Sequence, residues 1–465
     1  MYQNDLRGHK RSGRCRQIAL VSVLGVSGLM APRQCAASEY AVFDLGALLN
    51  TSSGHSASVA AVNASGQVSM TNSPDGAVYN AYRFSGGSAL DLGTLGGANS
   101  FAGGINSAGQ VVGRSQTATG ATHAFVWTSG GAGGAALNPQ MKDLSPTGGT
   151  SAATAINSTG QIAGYFSVSH PGKDQDLAFL YSNGALTQLP LPTGNFSLSY
   201  AYALNDSGKV VGEAYAGQSA LAHGYFYNGS SSVEIGDLGG GSSTPLAINK
   251  NDRAIGYSSN ADGYDRAFIY QAGSMTDLGT LGGHYSYANS INNNDQIVGG
   301  SFIDDGDSIF HAFISDGVNM TDLNSKVTSK AVNWVLNEGK GINDSGVIVG
   351  TGTLSGQKHG FMLMPLMAGD ANADGKVDFA DLVTVAQNYG SGSQDWEHGD
   401  FNGDGDVGFA DLVSIAQNYG ASQAGFPAQF EADVQSAFAS VPEPNMALAG
   451  MAVCLLVARR RRRRV

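Results

Sequence analysis

Between Gly369 and Gly420 one phrase rich in oxygen-bearing side chains occurs twice, as GDANADGKVDFADLVTVAQNYG and GDFNGDGDVGFADLVSIAQNYG, thirty residues apart. Asp370, Asn372 and Asp374 stand at positions 1, 3 and 5 of a twelve-residue loop, with Gly375 at 6, the carbonyl of Lys376 at 7, Asp378 at 9 and Asp381 at 12. The second copy places Asp400, Asn402, Asp404, Gly405, Asp406 and Asp411 at positions 1, 3, 5, 6, 7 and 12, with Gly408 at 9. Alternate side chains on so tight a loop converge from one concave side, and Ca2+ takes about six to eight hard oxygens at flexible distance. Two Ca2+ ions are expected. Position 12 is Asp, whose bidentate reach is shorter than that of Glu, and Gly408 leaves position 9 to a water, so the second site is expected to be the weaker.

An amphipathic helix should follow each loop, because Phe379, Leu382, Val383 and Ala386 recur at i, i+3, i+4 and i+7, as do Phe409, Leu412, Val413 and Ala416. Gly390 and Gly420 supply the stops. A module this small has little core, so metal binding should contribute much of its folding free energy.

A second repeat fills most of the remaining chain. AVNASGQVSM, GINSAGQVVG, AINSTGQIAG, ALNDSGKVVG, AINKNDRAIG, SINNNDQIVG and GINDSGVIVG place Asn63, Asn106, Asn157, Asn205, Asn249, Asn292 and Asn343 at intervals of 43, 51, 48, 44, 43 and 51 residues. That period suits a four-stranded blade. Each phrase is followed by an aromatic strand such as HAFVW from His123, RAFIY from Arg266 or HAFIS from His311, then by an Asp-Leu strand at Asp91, Asp143, Asp237, Asp277 or Asp322. Val, Ile, Phe and Tyr alternate with small or polar residues, and Asn-x-x-Gly supplies turns needing positive φ. One blade cannot bury its faces alone, whereas seven stacked copies can close a ring. YAVFDLGAL from Tyr40 is an Asp-Leu strand without a blade, and the last repeat, ending in HGFMLMP from His359, lacks one. Phe43 to Ala47 should therefore complete the sheet containing Ile342 and Phe361. An open solenoid or two smaller barrels are the alternatives.

The His-Ala-Phe strand, the Asn-x-x-Gly-Gln-Val-Val-Gly phrase and the Asp-Leu-Gly-Thr-Leu-Gly-Gly turn resemble the HAF family of extracellular repeats over about residues 40 to 365. That resemblance implies an exported propeller-like module and no particular chemistry. The paired loops resemble a type I dockerin with paired EF-hand loops, which implies docking onto a cohesin-like partner. Cohesin-reading dockerins carry hydroxyl residues before the last acid, where this chain has Phe379-Ala380 and Phe409-Ala410, so another surface protein is an equal candidate partner.

His123, His223, His311 and His359 share one phase of four units, as expected for packing rather than for one active centre. Asp304, Asp305 and Asp307, and Asp262 with Asp265, read as solvated loops. No Gly-x-Ser-x-Gly, His-Glu-x-x-His or phosphate loop occurs. The chain is thus expected not to be an enzyme, with no catalytic residues. A polysaccharide-degrading enzyme, or a carbohydrate-binding accessory subunit attached through the paired loops, is the alternative.

Arg7, Lys10, Arg11, Arg14 and Arg16 precede an apolar stretch from Ile18 to Met30 and small residues near Ala37, the order of an export signal. At the other end VPEP from Val441 leads into an apolar stretch, Met446 to Ala458, and arginines Arg459 to Arg464. This order resembles the PEP-CTERM sorting signal, which implies an exosortase-type processing enzyme as partner and transient anchoring in the membrane. Residues 38 to 441 hold 13 basic and 35 acidic residues, a formal charge of −22, which disfavours nucleic acid. Cys15, Cys35 and Cys454 all lie in the end segments, so the body has no disulfide.

The expected architecture is an all-β, seven-bladed β-propeller closed by an N-terminal strand, followed by a small α-helical dockerin-like domain. Its segments are an export signal (1–37), the propeller (38–366), the calcium-binding pair (367–424), a linker (425–440) and the sorting signal (441–465). The expected role is that of a noncatalytic cell-surface or extracellular-matrix protein that meets a ligand, partner or extracellular polysaccharide.

Overall fold

A computed structural model describes residues 40–45 and 58–421, apart from 74–76, 86–87, 146–148, 171–172, 218–220, 328–332, 373–375, 393, 395 and 403. The expected export signal, linker and sorting signal lie outside the described residues. Among the described residues no helix is long and apolar enough to cross a membrane.

The described strands form seven four-stranded antiparallel sheets, and in six of them sequence order is spatial order. The seventh takes Trp334–Ile342, Ile348–Leu354 and Gln357–Pro365 from the end of the repeats and its fourth strand, Tyr40–Asp44, from their beginning. Phe43 lies opposite Met362 and Asp44 opposite Phe361, as the missing strand of the last repeat required. First and last units are thus joined through backbone hydrogen bonds, and the ring has no open sheet between them. Gly46 and Ala47 lie outside the described residues.

Each landmark of the repeat has a mechanical role. The aromatic of His-Ala-Phe, namely Phe125, Phe179, Tyr225, Phe268, Phe313 and Phe361, is buried at the centre of its sheet. The glycine of Val-Val-Gly lets the innermost strand come close: a Cβ on Gly113 would lie 2.0 Å from the carbonyl oxygen of Phe101 and 2.9 Å from the ring of Phe125. The leucine of Asp-Leu is buried, as at Leu92, Leu144, Leu278 and Leu323.

The histidines join the third strand to the fourth within a blade. His123 Nδ1 lies 2.7 Å from Asp143 Oδ2, His311 Nδ1 2.7 Å from Asp322 Oδ2, and His359 Nδ1 2.9 Å from Asp44 Oδ1 of the N-terminal strand. Asn80 and Arg266 take the same place opposite Asp91 and Asp277. The fourth unit departs from its sequence phrase. His223 faces Glu234 at 3.4 Å, and Asp237 lies beyond the strand, where its Oδ1 accepts from Gly239 N and Gly241 N. Ile235, not Leu238, is the buried residue there, so the strand motif is read three residues earlier than the Asp-Leu spelling suggested.

The repeat asparagines form a circle. Nδ2 of Asn63, Asn106, Asn157, Asn205, Asn249 and Asn292 each donates to the carbonyl oxygen of the next asparagine at 2.8 to 3.2 Å, and Asn343 Nδ2 donates to Asn63 O at 2.9 Å. Oδ1 of each accepts from two amides of its own turn, as at Asn106 from Ala108 N and Gln110 N. The turns need a left-handed residue, which is glycine at Gly66, Gly109, Gly160, Gly208 and Gly346, and Asp252 or Asp295 in the fifth and sixth repeats.

The small helices are α1 (Phe379–Asn388) and α2 (Phe409–Asn418). Leu382, Val385 and Ala386 pack with Leu412, Ile415, Ala416, Val377 and Val407. Gly390 and Gly420 follow with positive φ, as expected of helix stops. The expected stripe is corrected at its first member. Phe379 and Phe409 are 39% and 44% exposed, and Val385 and Ile415 occupy the core in their place. The buried place in each first turn is taken by Asp381 or Asp411, and the core-facing rows run through Leu382, Val385 and Ala386 and through Leu412, Ile415 and Ala416.

Candidate functional site

The two acidic loops share one local geometry. Asp381 Oδ1 accepts from Ala371 N at 2.9 Å and Asn372 N at 3.2 Å, and its Oδ2 from Asp378 N at 2.8 Å. Asp411 repeats this with Phe401 N, Asn402 N and Gly408 N at 2.8, 3.2 and 2.8 Å. Asp378 caps α1 by accepting from Ala380 N. Asp400 Oδ2 accepts from Gly405 N, Asn402 Oδ1 from Asp404 N and Asp404 Oδ1 from Asp406 N, so the second loop is held curled by its own side chains. Lys376 is exposed, and Asp374 lies outside the described residues. Val377 of the first loop pairs with Gly420 and Ala421 after α2, and Val407 of the second with Gly390 and Ser391 after α1, so each loop is braced by the other unit's exit.

Among the described residues two carboxylates per loop are buried: Asp370 and Asp381 in the first, Asp400 and Asp411 in the second. Burial pushes Asp381 up to about 6, with Asp370 and Asp378 adding to the rise against the opposing backbone hydrogen bonds. Asp411 is raised for the same first reason, with Asp400 adding. Buried carboxylates placed together are stabilised by a cation, so this donor set fits the expected ion. Among the described residues no three His, Cys, Asp or Glu side chains converge as a metal cluster. An EF-type loop also draws on Asn oxygens and main-chain carbonyls.

A second set of residues escaped the sequence reading. The residue after Val-Val-Gly lies opposite the alanine or glycine of His-Ala-Phe in each blade, yet its identity changes: Thr71, Arg114, Tyr165, Glu213, Tyr257, Gly300 and Thr351. Positions that obey the repeat are occupied with building the ring. One that varies at constant geometry is free for recognition, and this is the signal that could have found it.

Two cavities open at these positions. One of about 410 Å3, lined by Tyr79, Phe101, Arg114 and Tyr165 among others, spans the first three blades. The Arg114 guanidinium lies 4.7 Å from the centre of the Phe101 ring, on which Tyr79 also stacks. The other, about 620 Å3, lies between the fourth and fifth blades and is lined by Tyr202, Glu213, Tyr215, Thr244, Tyr257, Ser259 and Asp265 among others. Glu213 is 6% exposed and accepts from Tyr202, from the Tyr215 hydroxyl at 2.7 Å and from Thr244 Oγ1 at 3.0 Å. Tyr200 bridges the two regions edge-on, with ring centres 4.9 Å from Tyr165 and 6.1 Å from Tyr215. Asp265, read from sequence as a loop residue, begins a strand and accepts from Ser259 Oγ at 2.7 Å.

No protein-family model matches the chain. No curated protein sequence matches it either. Solved structures with similar chain paths include the Pyrococcus horikoshii acylaminoacyl peptidase, at 9% identity and TM-score 0.41 over 64% of this chain and 49% of that one. A puromycin hydrolase matches at 13% and 0.45 over 65% and 50%, and YCF48 bound to D1 peptide at 10% and 0.41 over 70% and 96%. This chain spans about half the length of the two hydrolytic enzymes. The class defined here is the seven-bladed β-propeller. The expectation that the chain is not an enzyme is corrected here: structures with a similar chain path include a peptidase and a hydrolase.

Proposed function

We propose that this chain is an exported surface or matrix protein whose propeller binds polysaccharide at the aromatic cavities, while the paired acidic loops hold two Ca2+ ions and dock it to a cohesin-like or other surface protein. The observation that carries the binding role is the gathering of Arg114, Tyr165, Glu213 and Tyr257, the variable members of an otherwise regular repeat, around open cavities walled by tyrosine rings. Flat aromatic faces suit the C–H surfaces of pyranose rings, and a few placed polar groups orient hydroxyls. Asp370, Asn372, Asp374, Lys376, Asp378 and Asp381 would hold one ion, and Asp400, Asn402, Asp404, Asp406 and Asp411 the other; each would tie its loop to the start of a helix. The end segments support export, with an exosortase-type enzyme removing the tail after Pro442-Glu443-Pro444 has directed sorting.

The test is a glycan array probed with the full chain, followed by product analysis on every polysaccharide bound. Binding abolished by Tyr165→Ala or Tyr257→Ala supports the reading. An array blank at all saccharides defeats it, and release of shortened products assigns the alternative, a polysaccharide-degrading enzyme.

A further inference from the structure

The cavity between the fourth and fifth blades has a charge pattern of its own. Two carboxylates, Glu213 and Asp265, line it, and among the described residues no Lys, Arg or His joins them there. Glu213 is buried, and among the described residues its donors are neutral hydroxyls, those of Tyr202, Tyr215 and Thr244. This differs from the carboxylates of the asparagine turns of the fifth and sixth repeats, where Asp252 pairs with Lys209 and Asp295 with Arg253. The negative field reaches the walls: burial raises the phenols of Tyr202, Tyr215 and Tyr257, and Glu213 raises each of them further. A carboxylate held in a low-dielectric wall without a cation attracts one, and tyrosine faces add cation–π attraction. Ser242, Ser259 and Thr244 bring hydroxyl partners to the same space, which suits a polyhydroxylated cation better than a bare one.

We infer that this cleft binds the protonated amine of an amino sugar, the ammonium held by the Glu213 and Asp265 carboxylates against the tyrosine rings and the sugar hydroxyls met by Ser242 and Ser259. The inference rests on the saccharide-binding reading and names its chemistry. The 410 Å3 cavity at Arg114, which carries a cation of its own, is the part of the same surface that would reject this group.

Calorimetry on the full chain compares a glucosamine tetramer, its N-acetylated counterpart and a lysine tetrapeptide. The glucosamine tetramer should bind at least about tenfold tighter than the acetylated one, a step the size of one desolvated cation–π and charge contact. Glu213→Gln and Asp265→Asn should each remove most of that preference. Asp265 is half-buried at a strand start, so Asp265→Asn stands as the informative variant even if Glu213→Gln disturbs folding. Equal affinity for the two sugar oligomers overturns the ammonium assignment while leaving saccharide binding in place. Equal affinity for the lysine peptide overturns the sugar in favour of a basic peptide. Unchanged binding by a folded Asp265→Asn variant also sinks it, and failure of every saccharide defeats the underlying reading as well.

Discussion

Asn343 Nδ2 donates to the carbonyl oxygen of Asn63 at 2.9 Å across 280 residues of sequence, the longest-range member of a circle whose other six bonds join neighbouring repeats. The circle explains why asparagine heads every unit: its amide reaches the next blade while its carbonyl oxygen ties down its own turn. The second amide hydrogen is used in two ways. In Asn63, Asn106, Asn157 and Asn292 it goes to the Gln four residues on. In Asn205 and Asn249 that Gln is Lys209 or Arg253, and the amide turns to Asp252 or Asp295 of the next blade, which the new cation also pairs with. The two substitutions are one compensated change.

Asn343→Ala removes the closing bond and leaves the amides of Ser345 and Val347 without Asn343 Oδ1. The expected cost is about 2–3 kcal/mol, because buried donors and a buried carbonyl lose partners. Chemical denaturation should show this for Asn343→Ala and a change within about 0.5 kcal/mol for Asn228→Ala, whose bonds are exposed. Equal effects at the two sites would refute the circle's role.

Deleting residues 40–44 exposes the strand Gln357–Pro365 and removes the partner of His359. A long unpaired edge recruits another chain. Light scattering should report dimers or larger species where the intact protein is monodisperse; a deletion variant that stays monomeric and equally stable speaks against closure through Tyr40–Asp44.

Gly113→Ala forces a Cβ to within 2.0 Å of the Phe101 carbonyl oxygen. Backbone must move, at a cost of about 1–3 kcal/mol or more. Gly120→Ala, with no neighbour within 4 Å but a φ of +86°, should cost only its local strain of about 1 kcal/mol. Thermal melts of the two variants settle the order.

Burial raises the Tyr287 phenol to about 12, with Asp265 adding, and raises Tyr200, Tyr202, Tyr215 and Tyr225 as well. Unfolded phenols ionise near pH 10, so above that pH the unfolded chain has lost protons that the folded chain keeps. Stability from this source is whole below about pH 10 and falls as pH rises through about 12. Denaturant midpoints taken from pH 8 to 12 should decline in that window, and less steeply in Tyr287→Phe. A midpoint constant to pH 12 would contradict the burial of these phenols.

Calcium should raise the melting temperature of the α1 and α2 pair, and calorimetry on the full chain should show two binding events. Asp374→Ala with Asp404→Ala should abolish both, leaving the propeller's own transition unchanged. Two undiminished events in that double variant would place the ions elsewhere.

What the amino-acid order determined by itself was everything that depends on local recurrence: the seven units, the turns that demand left-handed residues, the extra strand at Tyr40, the helix stops and the paired loops. These signals lie within a few residues of one another and repeat, so period and turn chemistry suffice to read them. The partners of Glu213 could not be read this way. Tyr215 is near in sequence, but Thr244 bonds Glu213, and Tyr257 and Asp265 share its cavity, only because the fifth blade packs against the fourth, and the same packing turned Asp265 from a loop acid into the wall of a cavity. Nor could the exposure of Phe379 and Phe409, which follows from how two helices share one core. Side chains that obey a period report the architecture, and those that break it acquire neighbours only when the ring closes.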